Sequence, residues 1–293
     1  MSSTVIVITG PTATGKSDVA FLIANEKDGI IINADSKQIY KEIPIITAQP
    51  HNLNEDIFAL YGYKSVKSYY SVRIWLEDVS TAIQNAWEKN KLPIVVGGSC
   101  MYITALIKGF SCAQNFDRVL REELQQQIRH IGAEGFYEML RGYGINVNPT
   151  HQNDSYRLIR IAEDYLYHKQ VRKSQKVFEN IKLYVLIPER EVIYRKINQR
   201  FIKMLEDGAM KEICYLGQNL EERMPAMKSS GVIEMLQYTQ HHTSLSSAIA
   251  AAQASTRRYA KRQMTWCRNQ FSHATFAKNP DSLLRACLAN EKI

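Results

Sequence analysis

"GPTATGKS", Gly10 to Ser17, matches the pattern Gly-x-x-x-x-Gly-Lys-[Ser/Thr] throughout. It is preceded by "TVIVIT" (Thr4 to Thr9), a β-branched run that reads as a buried strand. Val19, Ala20, Leu22 and Ile23 follow it at helical spacing. A glycine-rich turn between a strand and a helix points backbone N–H groups at an anion, with the helix dipole behind them. In such a loop Lys16 reaches the terminal phosphate and the Ser17 hydroxyl is placed to bind Mg²⁺.

Working outward, "GIIINADS" (Gly29 to Ser36) and "LPIVVGGS" (Leu92 to Ser99) read as further buried strands, with a helix over Val72 to Lys89 between them. Strands alternating with helices give an α/β fold with a parallel sheet, whose ligands sit beyond the carboxyl ends of the strands. After Gly109 the texture changes: Asp117 to Ile131, Ala133 to Leu140 and Ser155 to Tyr167 read as consecutive helices. "KLYVLI" (Lys182 to Ile187) returns to strand, and a short strand is expected near Ala274 to Phe276. The expected architecture is a P-loop α/β core over residues 1–110 and 181–293, interrupted by a mostly helical insertion over 111–180.

An NTP hydrolase or kinase usually adds a second metal-holding acid at the end of another core strand. Here "LPIVVGGS" ends in glycines and serine, "KLYVLIP" ends in proline, and only the strand before Asp35 delivers a carboxylate near the loop. Asp35 could hold a metal, take a proton from an incoming nucleophile, or simply cap a turn with Ser36. The shortage of acids hints that the loop holds a diphosphate leaving group, although a small-molecule kinase and a non-catalytic RNA-binding module remain alternatives.

The formal net charge of +8 favours a polyanionic partner. No acid occurs between Glu234 and Asp281, and within that gap lies "STRRYAKRQMTWCRNQ" (Ser255 to Gln270). On a helical wheel Arg257, Arg258, Lys261, Arg262 and Arg268 share an arc of about 140°, while Tyr259, Ala260, Trp266 and Cys267 are expected to pack inward. "SYRLIRIAEDY" (Ser155 to Tyr165) sets Arg157 and Arg160 on one helix face, as a nucleic-acid contact or as an Arg160–Asp164 pair. Five scattered cysteines without a Cys-x-x-Cys pair argue against a zinc site or a disulfide framework and suit a reducing, cytoplasmic setting. No apolar run approaches the roughly 20 residues of a membrane span.

The order of these pieces resembles the tRNA dimethylallyltransferases, or isopentenyl-diphosphate:tRNA transferases. The carrying segments are "GPTATGKS", "NADSKQIY" with "TAQP", "IVVGGSCMYITALIKG", "YRLIRIAE", "RFIKMLEDG", "PAMKSSG" and "TRRYAKRQMTWCRNQ". The resemblance implies transfer of a dimethylallyl group from dimethylallyl diphosphate to N6 of the adenosine 3′ of a tRNA anticodon. It implies that Gly10, Pro11, Thr12, Ala13, Thr14, Gly15, Lys16 and Ser17 hold the donor diphosphate with Mg²⁺, and that Asp35 is the general base, with Ser99 and Lys228 also catalytic. It implies tRNA contacts at Asp35, Ser36, Lys37, Gln38, Ser99 and Arg121, along Tyr156, Arg157, Leu158, Ile159 and Arg160, and at Arg257 and Lys261. The chain departs from the family pattern at Lys228 in place of arginine, at "GVIE" (Gly231 to Glu234), around Leu60 to Tyr63, and at Ser99 in place of threonine. A monomer is expected.

Overall fold

The computed structural model describes residues 4–51, 53–109, 118–168, 178–221 and 224–289. The chain divides into two compact units, Met1–Ile107 with Lys176–Ile293, and Lys108–Gln175. The expected boundary between residues 110 and 111 lies outside the described residues, as does Asp117 at the start of the first insertion helix.

In the larger unit the strands are β1 (Val5–Thr9), β2 (Gly29–Asn33), β3 (Phe58–Ala59), β4 (Leu92–Gly97), β5 (Ile181–Leu186) and β6 (Thr275–Ala277). They form one sheet in the order β3-β2-β4-β1-β5-β6, and every pairing is parallel. All five residues of β1 and of β2 are buried, which is why both read as unbroken apolar runs rather than alternating ones. The helices are α1 (Lys16–Lys27), α2 (Val72–Glu88) and α3 (Cys100–Lys108) in the first half, then α6 (Arg190–Glu206), α7 (Ala209–Asn219), α8 (Val232–Thr239), α9 (Leu245–Gln270) and α10 (Pro280–Ala289). The two-residue β3 was not expected; too short to show a period of two, it pairs only at Ile31 and Ile32. No helix among the described residues is long and apolar enough to cross a membrane.

The register brings three strand ends level. Thr9 lies opposite Gly97, and Asn33 opposite Val96, with the Thr9 hydroxyl donating to the Gly97 carbonyl at 2.9 Å. Beneath this edge the buried Trp75 of α2 stacks on Tyr102 of α3 at 4.6 Å between ring centroids. Its indole N–H donates to the Asn33 carbonyl at 2.9 Å, so the last backbone acceptor of β2 is satisfied from below. Gly97 has no room for a side chain, since a Cβ there would stand 2.1 Å from the Ala34 carbonyl oxygen.

The smaller unit contains α4 (Arg118–Gly142) and α5 (Ser155–His168). Gly132, at φ 76°, breaks α4 into two helices, as the separate expectations of 117–131 and 133–140 anticipated. Leu124, Ile128, Phe136, Tyr137, Leu140, Leu158, Ile159 and Ala162 form its core. Embedded in it is Glu163, only 4% exposed, which accepts from the Arg121 guanidinium through two parallel bonds and from Arg160 at 2.8 Å.

Two outcomes test this description. Gly97→Ala should lower the free energy of unfolding by about 1–3 kcal/mol, or more if the strand ends cannot separate; an unchanged urea midpoint would contradict the close approach to Ala34. Glu163→Gln leaves two arginines without their buried carboxylate and should cost about 3–5 kcal/mol, read as early loss of the α4–α5 unit in hydrogen exchange.

Candidate active site

The phosphate loop leaves β1 through Gly10, whose φ of 143° and contact with β5 admit only glycine: a Cβ would meet the Leu186 carbonyl oxygen at 2.2 Å. Ala13 (φ 62°) and Gly15 (φ 91°) then turn the chain into α1. The Thr14 hydroxyl donates to the Pro11 carbonyl at 3.0 Å and the Lys16 ammonium donates to the same oxygen at 2.6 Å. Lys16 is thus folded back over its own loop, 8% exposed. Ser17 is exposed at the first turn of α1.

The loop is finished by distant chain. The Thr12 N–H donates to the Gln263 side-chain oxygen at 2.9 Å, while the Gln263 amide donates to the Gly98 carbonyl at 2.7 Å. One α9 side chain therefore ties the phosphate loop to the exit of β4. Arg200 of α6 donates to the Thr12 hydroxyl at 2.5 Å.

Asp35 follows β2 in a turn built by side chains. Its N–H donates to the Asn33 carbonyl oxygen of the side chain at 2.8 Å, and its own carboxylate accepts from the Lys37 N–H at 2.9 Å. The Ser36 N–H donates to the Ser99 hydroxyl at 2.8 Å, so Ser99 fixes the Asp35 turn against β4. The Gln38 amide donates to the Thr47 and Ala48 carbonyls, holding the "TAQP" segment, and Lys37 reaches the Pro225 carbonyl at 2.5 Å. The turn-residue alternative for Asp35 is therefore met, and the same residue also borders two of the cavities.

Three cavities adjoin here. One of about 390 Å³ lies over the phosphate loop and is bordered by Lys16, Ser17, Asp35, Gln38, Lys196 and Arg200. A second, of about 410 Å³, has apolar walls from Ile46, Ile197, Phe201, Met204 and Ile233, with Asp35, Lys228, Glu234 and Tyr259 on its rim. Thr12, Asp35 and Arg200 border both. A third, of about 330 Å³, is bordered by Ser36, Ser99, Cys100, Tyr259, Arg262 and Trp266, and shares Ser36, Tyr259 and Arg262 with the second. Asp35 stands at the first junction and Ser36 at the other.

The electrostatics of the site are those of desolvated cations gathered around Asp35. Burial lowers Lys16 from 10.5 to about 8, opposed by the Asp35 charge and reinforced by Arg200. Burial likewise lowers Lys37 to about 8, again opposed by Asp35 and reinforced by Lys228. Desolvation holds Arg200 below its ordinary value, with Asp35 once more in opposition. A hard divalent cation fits the site only in part: the Ser17 hydroxyl and the Asp35 carboxylate border one cavity, but among the described residues no group of three or more His, Cys, Asp or Glu could cage it. Such an ion needs ligand oxygens to complete its shell, as Mg²⁺ does when bound through phosphates.

The outlying candidates divide. Ser99, Ser36, Lys37, Gln38 and Lys228 gather at the cavities. Arg257 does not stand free on a basic face; it donates to the Asn198 side chain at 2.7 Å and lies 6.0 Å from the Tyr194 ring. Lys261 is exposed. Trp266, expected to pack inward, is 37% exposed because its indole N–H reaches out to the Thr104 hydroxyl at 3.1 Å. In the smaller unit Tyr156 is 74% exposed and Arg157 pairs at 3.7 Å with Asp154. Leu158 and Ile159 are core residues, so their side chains are not available to tRNA, and Arg121 and Arg160 are engaged with Glu163. Three polar residues at these sites carried no assigned role in the sequence: Arg200, Gln263 and Glu163. Each interrupts the apolar stripe of an amphipathic helix, which is the signal that could have marked them.

A family model described as IPP transferase matches residues 38–270. The tRNA dimethylallyltransferase of Ehrlichia chaffeensis (strain ATCC CRL-10679 / Arkansas) is 41% identical over 292 residues, covering 96% of each chain. That of Wolbachia pipientis subsp. Culex pipiens (strain wPip) is 42% identical over 287 residues, covering 94% of this chain and 95% of the relative. Among solved structures, the full-length tRNA isopentenylpyrophosphate transferase from Bacillus halodurans superposes with a TM-score of 0.68 at 28% identity, over 94% of this chain and 90% of that one. A eukaryotic dimethylallyltransferase acting on tRNA shares the fold with a TM-score of 0.81 at 24% identity, over 99% of this chain and 77% of that one.

The depressed lysines make anion binding pH-dependent. Between about pH 8 and 10.5 the unfolded chain holds protons that the folded one releases, so without an anion these lysines cost stability that is regained as pH rises through that window. An anion restores the protons. The affinity for inorganic diphosphate should therefore be highest below pH 8 and fall about tenfold per pH unit above it for each lysine that must be charged. Calorimetric titration at pH 7 and 9.5 checks this, and equal affinities would show that neither lysine meets the anion.

Proposed function

The chain belongs to the IPP transferase family, and on that premise we propose that it transfers a dimethylallyl group from dimethylallyl diphosphate to N6 of the adenosine 3′-adjacent to a tRNA anticodon. The observation that carries the mechanism is Asp35, a carboxylate bordering both the cation-lined cavity over the phosphate loop and the apolar-walled cavity beside it. A diphosphate suits the first cavity and a five-carbon apolar group suits the second, so the bond between them lies beside Asp35.

The N6 lone pair attacks the allylic carbon, the carbon–oxygen bond to diphosphate breaks, and the Asp35 carboxylate accepts the amine proton. Charge accumulates on the leaving diphosphate, where it meets Arg200, the N–H groups of Ala13 to Ser17 and, once released from the Pro11 carbonyl, Lys16. Mg²⁺, bound through Ser17 and the donor oxygens, would neutralise part of that charge. Ser99 acts on Asp35 indirectly, by holding the Ser36 N–H. Lys228, exposed on the rim, gives a point charge rather than a planar double contact with the donor.

The adenine enters by the third cavity, which requires that it leave the anticodon stack. Tyr156 and Arg157 on the smaller unit, and Arg258, Lys261 and Arg262 on α9, are the exposed groups suited to the tRNA backbone and bases. Arg121 and Arg160 contribute through Glu163, by keeping the helix that carries Tyr156 and Arg157 folded.

Asp35→Ala should lower the single-turnover rate by about 10² to 10⁴ with tRNA affinity little changed; a mutant rate equal to the parent's would remove Asp35 from the chemistry. Transfer should proceed with dimethylallyl diphosphate and Mg²⁺ alone, and a requirement for ATP would refute the diphosphate-donor reading. Arg157→Ala should reduce the salt slope of tRNA binding by about one unit and spare the rate at saturating tRNA.

A further inference from the structure

Cysteine spacing gave no sign of a pair, yet the fold sets two thiols against each other beside the reaction cavities. We propose that Cys100 and Cys267 form a reversible dithiol–disulfide site, oxidised by hydroperoxides that enter through the cavity at Ser99.

Cys100 opens α3 and Cys267 lies in the last two turns of α9. Two side-chain bonds hold those helices together on either side of the pair. The Gln263 amide, one turn before Cys267, donates to the Gly98 carbonyl at 2.7 Å. The Trp266 indole donates to the hydroxyl of Thr104, one turn after Cys100, at 3.1 Å. Between these clamps the Cys100 thiol donates to the Gly98 carbonyl at 3.7 Å, the oxygen that also takes the Gln263 amide, and the Cys100 and Cys267 thiols lie near enough to act on each other electrostatically. Cys100 is half-buried and borders the cavity of about 330 Å³, whereas Cys267 is fully buried behind it. Neither Cys214 nor Cys287 borders that cavity.

The pair is chemically poised as well as close. Interaction with Cys100, helped by the nearby Lys16 charge, lowers Cys267, and the same interaction together with burial raises Cys100. As the Cys100 sulfur attacks a peroxide oxygen the O–O bond breaks, and the displaced hydroxide takes the Cys100 thiol proton and leaves as water. The Cys267 thiol then attacks the Cys100 sulfenic sulfur; the S–O bond breaks and its oxygen leaves as a second water, carrying the Cys267 proton. Two electrons pass from the dithiol to the peroxide, and a dithiol reductant reverses the step by exchange.

Closing the sulfurs to a bond of about 2.05 Å draws the first turn of α3 onto α9. The two clamped segments are those that set the reaction geometry: Ser99, just before α3, fixes the Asp35 turn, and Gln263 fixes the Thr12 N–H. Displacements of about 1 Å at such supports cost up to about a hundredfold in rate.

The experiment treats the reduced full-length protein with hydrogen peroxide, blocks remaining thiols with iodoacetamide, and maps the peptides. A cross-linked Cys100–Cys267 peptide is expected, with the chain's five thiols reduced by two and restored by dithiothreitol. Because Cys267→Ala could unfold the buried position, the control is Cys100→Ser, checked by circular dichroism, in which the cross-link should be absent. A folded parent protein that yields no Cys100–Cys267 peptide overturns the proposal. Peptide mapping stands independently of the proposed function. A second readout rests on that function: prenyl transfer should fall about tenfold or more on oxidation and recover on reduction. Loss of transfer under peroxide in Cys100→Ser as well would overturn the control assigned to this pair.

Discussion

Desolvated positive charge around a single carboxylate is the constraint on which the rest of this structure depends. Lys16, Lys37 and Arg200 all lose favourable hydration on folding, and the Asp35 charge opposes the resulting pKa shift in each. Asp35 offsets only part of the cost of desolvating three cations, so the cavity wall they share stays electropositive around it. The surrounding hydrogen bonds hold the charges in place against their own repulsion. Lys16 is bonded back to its loop, Lys37 to Pro225 and Arg200 to Thr12. Asp35 therefore sets the charge balance of this cluster and, in the proposed function, also faces the nucleophile.

Much of this was legible in the sequence because it rests on local pattern. The phosphate loop, the apolar runs of β1, β2, β4 and β5, and the break at Gly132 each follow from a few neighbouring residues. The short terminal strand was found one residue away, at Thr275–Ala277. What stayed hidden depends on which helix faces which. Arg257 looked like one more cation on a basic arc, but Asn198 and Tyr194 of α6 claim it. Leu158 and Ile159 sat in a segment implied to touch tRNA, and the fold puts both in the core of the smaller unit.

The polar residues that matter most share a property that composition conceals. Glu163 lies among Leu158, Ile159 and Ala162; Arg200 lies among Ile197, Phe201 and Met204; Gln263 lies between Ala260 and Cys267. Each occupies a position where an apolar side chain would be the cheaper choice, and each makes at least one hydrogen bond there. Burying such a group is tolerable only when its partners are supplied by the fold. A polar residue breaking an apolar stripe is thus a statement about a partner elsewhere in the chain, and its identity becomes visible only in three dimensions.

The bond between the Thr12 N–H and Gln263 spans 251 residues, and this bears on how the protein is made. Synthesis runs from the amino end at about 5–20 residues per second, so the phosphate loop emerges some tens of seconds before the helix that completes it. β1 must also wait for β5 to fill its second edge. A growing chain therefore carries an unclosed sheet and an unfinished phosphate loop through most of translation. A chain cut short of α9 and β5 is left with one edge of β1 unpaired and with the Thr12 N–H lacking its Gln263 partner.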